Sequence, residues 1–464
     1  MSTKFNEYGN FIESLKQSPY RGGEFQQFQS LFDIIFCELE ATLDKLQSSD
    51  DHHDQARYKG YKSILDEWYD FSKKTNRLKN TSFGYPVNFV KRSFLVDFFR
   101  IMESFDVLQN NCGDIHNITD ESESLTSKSL EWDIVRLIAD NLGLPSQPRL
   151  SVLQKSPDSY KSGYWGYVTS GGSESNSWGI RQGFLEYPKG ILYFSESAHY
   201  SIPKAAENYN YQIIPQNSTY DETIDVEILL KSIKDNWIKS NCPAILVLTF
   251  GTTKYGLIDD ISKIKTELKN MNIPHYLHID AAFYGGIPQN QERVPKVALY
   301  DDWKYDSICV SLHKYIGYPV VKSVLISAKR PDGKFIDYIA QQDNTVAGSR
   351  DIPAFSLRQQ VIEMLHYSDS KEYIQNIDIF TKILKNARIE FKQWSDDISE
   401  GNTFVFKVDT NVLEYDTICN KWELCEFSDK DNIDYVHVII FPYQSPKHLQ
   451  MLVDDLLNIA KPFN

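Results

Sequence analysis

The chain is poor in cysteine and has no paired ones. Its six, Cys37, Cys112, Cys242, Cys309, Cys419 and Cys425, form no C-x-x-C pair and are too sparse over 464 residues to staple a secreted scaffold, which points to a reducing, cytoplasmic setting. Long apolar runs are missing too. None reaches the roughly 18 residues of a membrane span, and the opening Met-Ser-Thr-Lys-Phe-Asn-Glu has no apolar signal-peptide core, so a membrane is not expected as a partner. The Asn-x-Ser/Thr triplets at Asn80, Asn117 and Asn217 are then chance matches, because glycosylation requires secretion. Positive charge is in deficit: 49 Lys and Arg against 63 Asp and Glu leave a formal net charge of -14. That balance argues against nonspecific binding to nucleic acid or an anionic membrane and serves solubility. There is no internal repeat, no low-complexity linker, no Walker loop and no dinucleotide fingerprint.

What is present reads as a globular chain, 41% hydrophobic, 24% charged and 13% aromatic, long enough for a large core and two or three units. Residues 24–47 place apolar groups at three- and four-residue spacing and predict an amphipathic helix. Residues 48–54, Ser-Ser-Asp-Asp-His-His-Asp, read as a solvated loop rather than a metal site. A helix over 62–74 and a turn broken by Gly84 and Pro86 follow. From about Ser129, apolar β-rich runs at 191–194, 244–250, 276–279, 307–311 and 323–327 alternate with helical stretches at 225–239 and 261–271, which predicts an α/β unit with a mostly parallel sheet. After Asp343 the texture changes to helices over 352–367 and 370–393, strands over 403–408 and 435–441, and a closing helix over 446–459. The expected divisions are residues 1–110, 111–343 and 344–464.

Chemistry concentrates where strands end. Tyr305-Asp-Ser-Ile-Cys-Val-Ser-Leu-His-Lys314 is a β-favouring run closing on a histidine and a lysine, whose amine either reaches water, finds a partner, or serves as a Schiff-base nucleophile. Upstream, Thr169-Ser-Gly-Gly-Ser-Glu-Ser-Asn176 separates a strand-like segment (164–168) from a helical one (178–185). Adjacent Gly171 and Gly172 let backbone N–H groups converge on an anion, and Ser170 and Ser173 add hydroxyls, so one phosphate fits. The same residues, Gly171-Gly-Ser173-Glu-Ser175, approach a nucleophile elbow without its last glycine, which leaves a serine hydrolase using Ser173 as the rival. In His278-Ile-Asp280-Ala-Ala282, Asp280 can pair with a protonated ring nitrogen and Ala282 can lie against a ring face. His199 can stack on the other face. A helix N-cap and a core histidine are the structural alternatives for Asp280 and His199. His275 and His278 fall on opposite faces of one strand, so no shared metal is expected.

In chain order, Thr169-Ser-Gly-Gly-Ser-Glu-Ser-Asn176, Ser197-Ala-His-Tyr-Ser201, Gly251-Thr-Thr253, His278-Ile-Asp-Ala-Ala282, Ser311-Leu-His-Lys314 and Ala347-Gly-Ser-Arg350 resemble the motifs of the group II pyridoxal-phosphate-dependent amino-acid decarboxylases. The branch is the one holding histidine decarboxylases and plant serine decarboxylases. The likeness runs from about Tyr85 to the C-terminus and takes in Gly84-Tyr-Pro86 and Asn111-Cys-Gly-Asp114. It implies an α/β fold of type I, aspartate-aminotransferase-like, with a mostly parallel seven-stranded sheet in the large domain and a small C-terminal α+β domain. It implies pyridoxal 5'-phosphate as cofactor, with Lys314 holding it as a Schiff base, Asp280 keeping its ring nitrogen protonated, His199 stacking on the ring and Ala282 backing it. Ser170, Gly171, Gly172, Ser173, Ser311 and His313 would surround the phosphate, Thr253 would sit near the ring hydroxyl, and the partner's Gly348 would close the shell. A homodimer with a shared site follows, residues 1–110 packing on the partner. Tyr85, Asn111 and Arg350 are candidate substrate contacts, although Arg350 also suits a structural ion pair.

Three departures from the family pattern bear on the substrate. Ser173 and Ser175 stand where the branch commonly has threonine and glycine, Leu312 replaces a small residue before His-Lys, and Asp351-Ile-Pro353 replaces Asn-Gly-His. The expected reaction is decarboxylation of an L-amino acid, histidine first, giving histamine and carbon dioxide. Serine or aromatic acids are alternatives. An aminotransferase or carbon–carbon lyase would use the same equipment, because the bond held perpendicular to the ring selects the reaction. His199 and a loop tyrosine both stand as donors of the proton at Cα.

Overall fold

The computed structural model describes residues 43–63, 81–86, 88, 111–115, 127–145, 163–209, 211–216, 223–289, 293–296, 305–332, 335–336, 341–367, 372–395 and 399–463. The chain divides into two compact units, residues 1–79 with 91–101 and residues 80–90 with 102–464. In the first, residues 43–47 and 52–63 are helical. The Asp51 carboxylate accepts the His53 N–H at 2.7 Å, an N-cap that ends the expected 48–54 loop early and draws His52, His53 and Asp54 into the helix. The remainder of the helices expected over 24–47 and 62–74 lies outside the described residues.

The second unit is built on a seven-stranded sheet of order β1-β7-β6-β5-β4-β2-β3. Its strands are β1 (Trp165–Thr169), β2 (Ile191–Ser195), β3 (Ile213–Gln216), β4 (Ala244–Thr249), β5 (His275–Asp280), β6 (Ser307–Ser311) and β7 (Ser323–Ser327). The pairings β2 with β3 and β4, and β5 with β4 and β6, are parallel, while β7 runs antiparallel to both β1 and β6. Central strands such as Ala-Ile-Leu-Val-Leu-Thr of β4 are buried along their length, as a sheet covered on both faces requires. Helices α1 (Lys128–Asn141), α2 (Gly172–Glu186), α3 (Ser201–Tyr209), α4 (Val226–Ser240) and α5 (Ile261–Asn270) accompany it. Asp225 and Asp260 cap α4 and α5 by accepting from Ile228 N and Lys263 N, each at 3.0 Å, which is why those two helices were legible.

Two elements carry no clear sequence signal. Helix α3 is a single short run with Pro203 in its first turn, and β3 is a half-buried edge strand containing Pro215. The helix expected from 178 begins at Gly172, inside the glycine-rich stretch.

Beyond the ribbon of β8 (Phe335–Ile336) and β9 (Gln341–Gln342), helix α6 (Ala354–Ile362) runs on as a π turn to Tyr367, and α7 (Glu372–Ala387) follows. The helix expected over 370–393 stops six residues short, because Arg388 turns left-handed at φ 57° and the chain re-forms as β10 (Lys392–Ser395). A five-stranded antiparallel sheet then joins β10, β11 (Glu400–Val408), β13 (Asp434–Ile439) and β12 (Cys425–Ser428), with β14 (Ala460–Lys461) on β11. Helices α8 (Tyr415–Trp422) and α9 (Pro446–Leu456) accompany it. Residues 83 and 84 tie onto this layer. Ile439 N donates to Phe83 O at 2.7 Å, Phe83 N to Trp422 O at 3.0 Å, and the buried His437 ring contacts Gly84 O at 2.9 Å.

Trp178 on α2 stacks on Trp165, ring centroids 5.3 Å apart, in a buried cluster with Tyr167 and Leu325. Its indole N–H donates to Asn344 O at 2.7 Å. Trp178→Ala is expected to cost about 3–5 kcal/mol, read as a lower urea midpoint at unchanged slope. A loss under about 1 kcal/mol would mean that the cluster closes over the gap.

Candidate active site

The sheet brings the ends of its strands to one edge. Thr169 at the end of β1 and Ser311 at the end of β6 both pair in register with Ser323, the first residue of β7. Asp280 closes β5 beside them, and His199 and the 251–253 turn follow the ends of β2 and β4. That is the edge where open α/β sheets bind ligands. The residues expected to act together from 169 to 314 are therefore gathered by topology.

Lys314 sits half-buried in the turn after β6, with its carbonyl accepting from Asn88 N and Gly317 N at 3.1 Å each. Its ammonium is felt by its neighbours. Burial holds His199 below the ordinary imidazole value, the Asp280 carboxylate pulls it up and Lys314 pulls it down, so both charges act on one ring. Burial likewise lowers His313, with the Lys322 carbonyl raising it and Lys314 lowering it.

Asp280 is 5% exposed. Its Oδ2 accepts Asn176 Nδ2–H at 2.9 Å and its Oδ1 accepts Ala282 N–H at 3.1 Å. The Cys309 thiol lies beside it, 3.5 Å from Oδ1 and 3.1 Å from Asn176 Oδ1. Among the described residues no lysine or arginine pairs with this carboxylate. Asn176 also bonds His278 Nε2 at 3.0 Å and Ser201 Oγ at 3.1 Å, and Ser201 Oγ reaches His199 Nδ1 at 2.8 Å. His278 Nδ1 lies 2.7 Å from Ser307 Oγ. His278 is thus committed to the interior of the sheet, while His275 turns to Ile273 O on the other side.

The glycine-rich stretch is a strand-to-helix turn. Gly171 is at φ 152°, ψ 170°, a region that only glycine occupies readily. Gly172 opens α2, leaving its N–H and that of Ser173 without helical acceptors, and a Cβ there would stand 3.2 Å from Ser311 Oγ. Ser311 Oγ bonds Ser323 Oγ at 3.1 Å. His313 Nδ1 lies 3.1 Å from Lys322 O, so it donates there and leaves Nε2 as the open nitrogen. Ser170 departs from expectation. It gives both its N–H and its hydroxyl to Glu174, so its donors serve the helix start rather than a ligand. Ser175, in place of glycine, is buried and bonds Thr169 Oγ1 at 2.8 Å. Ser173 is exposed, with no histidine bonded to it among the described residues, so the pairing with a base that a hydrolase needs is not built. Ala282 and Gly348 are partly exposed and Thr253 is exposed.

Two expected substrate contacts are turned inward. Asn111 is fully buried, its amide donating to Glu131 at 3.1 Å and its carbonyl accepting Ser127 N–H at 2.8 Å. Arg350 pairs with Glu131 at 3.1 Å, donates to Gly348 O and lies over the Tyr167 ring at 5.0 Å. In this chain both side chains are committed to Glu131, Arg350 as its ion-pair partner and Asn111 as an amide donor. Tyr85 is 58% exposed. Asn176, Ser201, Ser307, Ser323 and Cys309 went unnamed as site residues in the sequence, although the first two close quoted motifs.

Residues 184–353 match the model of the pyridoxal-dependent decarboxylase conserved domain. Serine decarboxylase 2 of Oryza sativa subsp. japonica is 31% identical over 82% of this chain and 74% of its own. The chain belongs to the group II pyridoxal-dependent decarboxylase family. A histidine decarboxylase of Vibrio campbellii is 27% identical over 82% of the chain and 90% of its own length. L-Methionine decarboxylase of Streptomyces sp. 590 has the same fold, with a TM-score of 0.65 at 18% identity over 88% of this chain and 95% of that one. The protein is a pyridoxal-phosphate-dependent amino-acid decarboxylase of fold type I. Its own residues fit that cofactor. A buried carboxylate that pairs with no lysine or arginine among the described residues suits a protonated ring nitrogen, and the Gly172 cradle facing Ser311 leaves room for a phosphate that a side chain would fill.

Burial pushes His278 down to about 4. Since this lies below the ordinary value of 6.5, the neutral ring's contribution to stability is complete above about pH 6.5. It is lost as pH falls toward 4, about 3 kcal/mol over that window. Urea midpoints of the cofactor-free decarboxylase at pH 7 and 4.5 are expected to spread further apart in the wild type than in His278→Gln. Equal spreads would show that the buried ring takes up its proton without cost.

Proposed function

We propose that this decarboxylase acts on L-histidine, releasing carbon dioxide and histamine. The observation that carries the mechanism is the carboxylate of Asp280, held by N–H donors and paired with no lysine or arginine among the described residues, within electrostatic reach of the His199 ring that also feels Lys314. The histidine decarboxylases among its relatives support the substrate. Serine is the second reading, favoured by two rice serine decarboxylases matched over four-fifths of the chain.

Bound pyridoxal phosphate supplies an aldehyde carbon for the amine and a cationic ring that can absorb an electron pair. Lys314 would hold its aldehyde carbon and yield it to the incoming amino group. Asp280 would hold the ring nitrogen protonated. The Gly172 and Ser173 N–H groups, Ser311 and His313 would hold the phosphate, with Thr253 at the ring hydroxyl and His199 and Ala282 on the two faces. The protein's task is to hold the substrate carboxylate out of the ring plane, so that the breaking bond aligns with the π system.

The proposal includes a homodimer in which the partner's Gly348 closes the phosphate shell. It is supported by the exposed apolar Val320, Val321, Val346 and Phe355, on segments that Lys322 joins by donating to Asp351 O at 2.7 Å and that lie beside Gly171, whose Cβ would touch Val321. A cytoplasmic location goes with the free thiols of Cys242, Cys309, Cys419 and Cys425.

With carboxyl-labelled substrates, L-histidine is expected to release labelled carbon dioxide fastest of the twenty amino acids. Lys314→Ala is expected to abolish both release and the visible absorbance band that borohydride reduces. Asp280→Asn should slow turnover by about 10²-fold or more, the scale of one lost preorganised electrostatic partner. Faster release from serine would overturn the histidine assignment, and a band that persists in Lys314→Ala would overturn the role of that lysine.

A further inference from the structure

The buried polar chain behind the site runs through seven side chains, from Asp280 by way of Asn176 to His278, Ser307 and Tyr276 on one branch and to Ser201 and His199 on the other, and the chemistry of its ends fixes the direction of every hydrogen bond in it. A carboxylate only accepts, so Asn176 must turn its amide nitrogen to Asp280 Oδ2 at 2.9 Å and its oxygen to His278 Nε2 at 3.0 Å. His278 therefore donates from Nε2. As a fully buried neutral ring it must accept at Nδ1, and the Ser307 hydroxyl at 2.7 Å is the donor, itself receiving Tyr276 O–H at 2.9 Å. The second amide hydrogen of Asn176 goes to Ser201 Oγ at 3.1 Å. The Ser201 hydroxyl is then left to donate to His199 Nδ1 at 2.8 Å, where the Ser201 backbone N–H also points, at 3.3 Å. Two donors on one nitrogen make Nδ1 an acceptor, so neutral His199 carries its proton on Nε2. The chain exists because α2 has glycine at 179: a Cβ there would collide with the His278 ring.

We propose that Asn176, oriented by His278, is a positioning residue that sets two partners of the cofactor at once, the orientation of the Asp280 carboxylate and the Nε2–H tautomer of His199. The proposal rests on the assignment of Asp280 and His199 to the pyridoxal phosphate site. Its consequence is that the open nitrogen of His199 is a hydrogen-bond donor, suited to an anionic group such as the carboxylate of an amino acid, and that a change at either end is transmitted to the other.

The test uses the full-length protein labelled with ¹⁵N-histidine, whose ten histidines are assigned by single substitutions, read without and with pyridoxal phosphate. In the cofactor-free wild type His199 and His278 are both expected as Nε2–H tautomers. Asn176→Ala should mix the tautomers of His199 and weaken pyridoxal phosphate binding by about 10- to 100-fold, the value of one hydrogen bond to a charged group. Ser201→Ala should mix the His199 tautomers while leaving cofactor affinity much closer to wild type, because the Asp280 branch stays whole. Gly179→Ala, which removes no polar group, should reproduce the Asn176→Ala pattern in weaker form. Circular dichroism identifies variants that fail to fold, and Ser201→Ala then decides. A His199 that keeps its Nε2–H tautomer in Asn176→Ala or, where that variant is unfolded, in Ser201→Ala would overturn the proposal, as would an Nδ1–H tautomer in the wild type. Failure of the wild type to bind pyridoxal phosphate would instead strike the site assignment, which the cofactor-free spectra do not depend on.

Discussion

A carboxylate almost shut away from water is costly unless N–H groups meet its oxygens, and that constraint at Asp280 organises the site. One donor is local, the Ala282 N–H two residues on. The other comes from Asn176, more than a hundred residues earlier, and obliges α2 to lie close over β5. The glycine at 179 and the buried His278 follow from that approach. Among the described residues no lysine or arginine pairs with this carboxylate, which suits a protonated ring nitrogen of the family's cofactor.

The glycine-rich turn and the Lys314 turn are placed by sheet direction rather than by local chemistry. Strands β1 and β6 run the same way because β7 lies antiparallel between them, so the turn after Thr169 and the turn after Ser311 emerge side by side. Ser323 sits at the start of β7 with its hydroxyl on Ser311. The small sheet braces the same edge from below in sequence: Phe283 and Tyr315 pack on Phe441, and Asn88 holds the carbonyls of Lys314 and Tyr315. The backbone of Lys314 is thereby held at its carbonyl, which accepts from Asn88 N and Gly317 N.

The departures from the family pattern are of different kinds. Ser175 replaces glycine inside the first turn of α2 and bonds Thr169, so its hydroxyl is spent within the turn. Leu312 is fully buried and its backbone closes the turn by accepting from Tyr318 N. Asp351 instead faces solvent beside Lys322, on the segment where the apolar Val346 and Phe355 are also exposed.

Strands buried on both faces had to be written as short apolar runs, so β2, β4, β5, β6 and β7 were legible from residue type alone, as were the helices that Asp225 and Asp260 cap. The placement of Lys314, Asp280 and the Gly171–Gly172 turn was legible for a related reason, since each sits where a strand ends, and resemblance to known motifs named the cofactor. Helix α3 and strand β3 were not, since proline and half-burial erase periodicity. Only the tertiary structure decided that Ser170 serves Glu174, that Asn111 and Arg350 close on Glu131, and that Asn176 joins Asp280 to His278 and His199. Each of these depends on which buried donor meets which acceptor, and apart from the short Ser170 contact the partners are 20 to more than 200 residues apart. A linear pattern records what each side chain can donate or accept, and folding alone determines with whom.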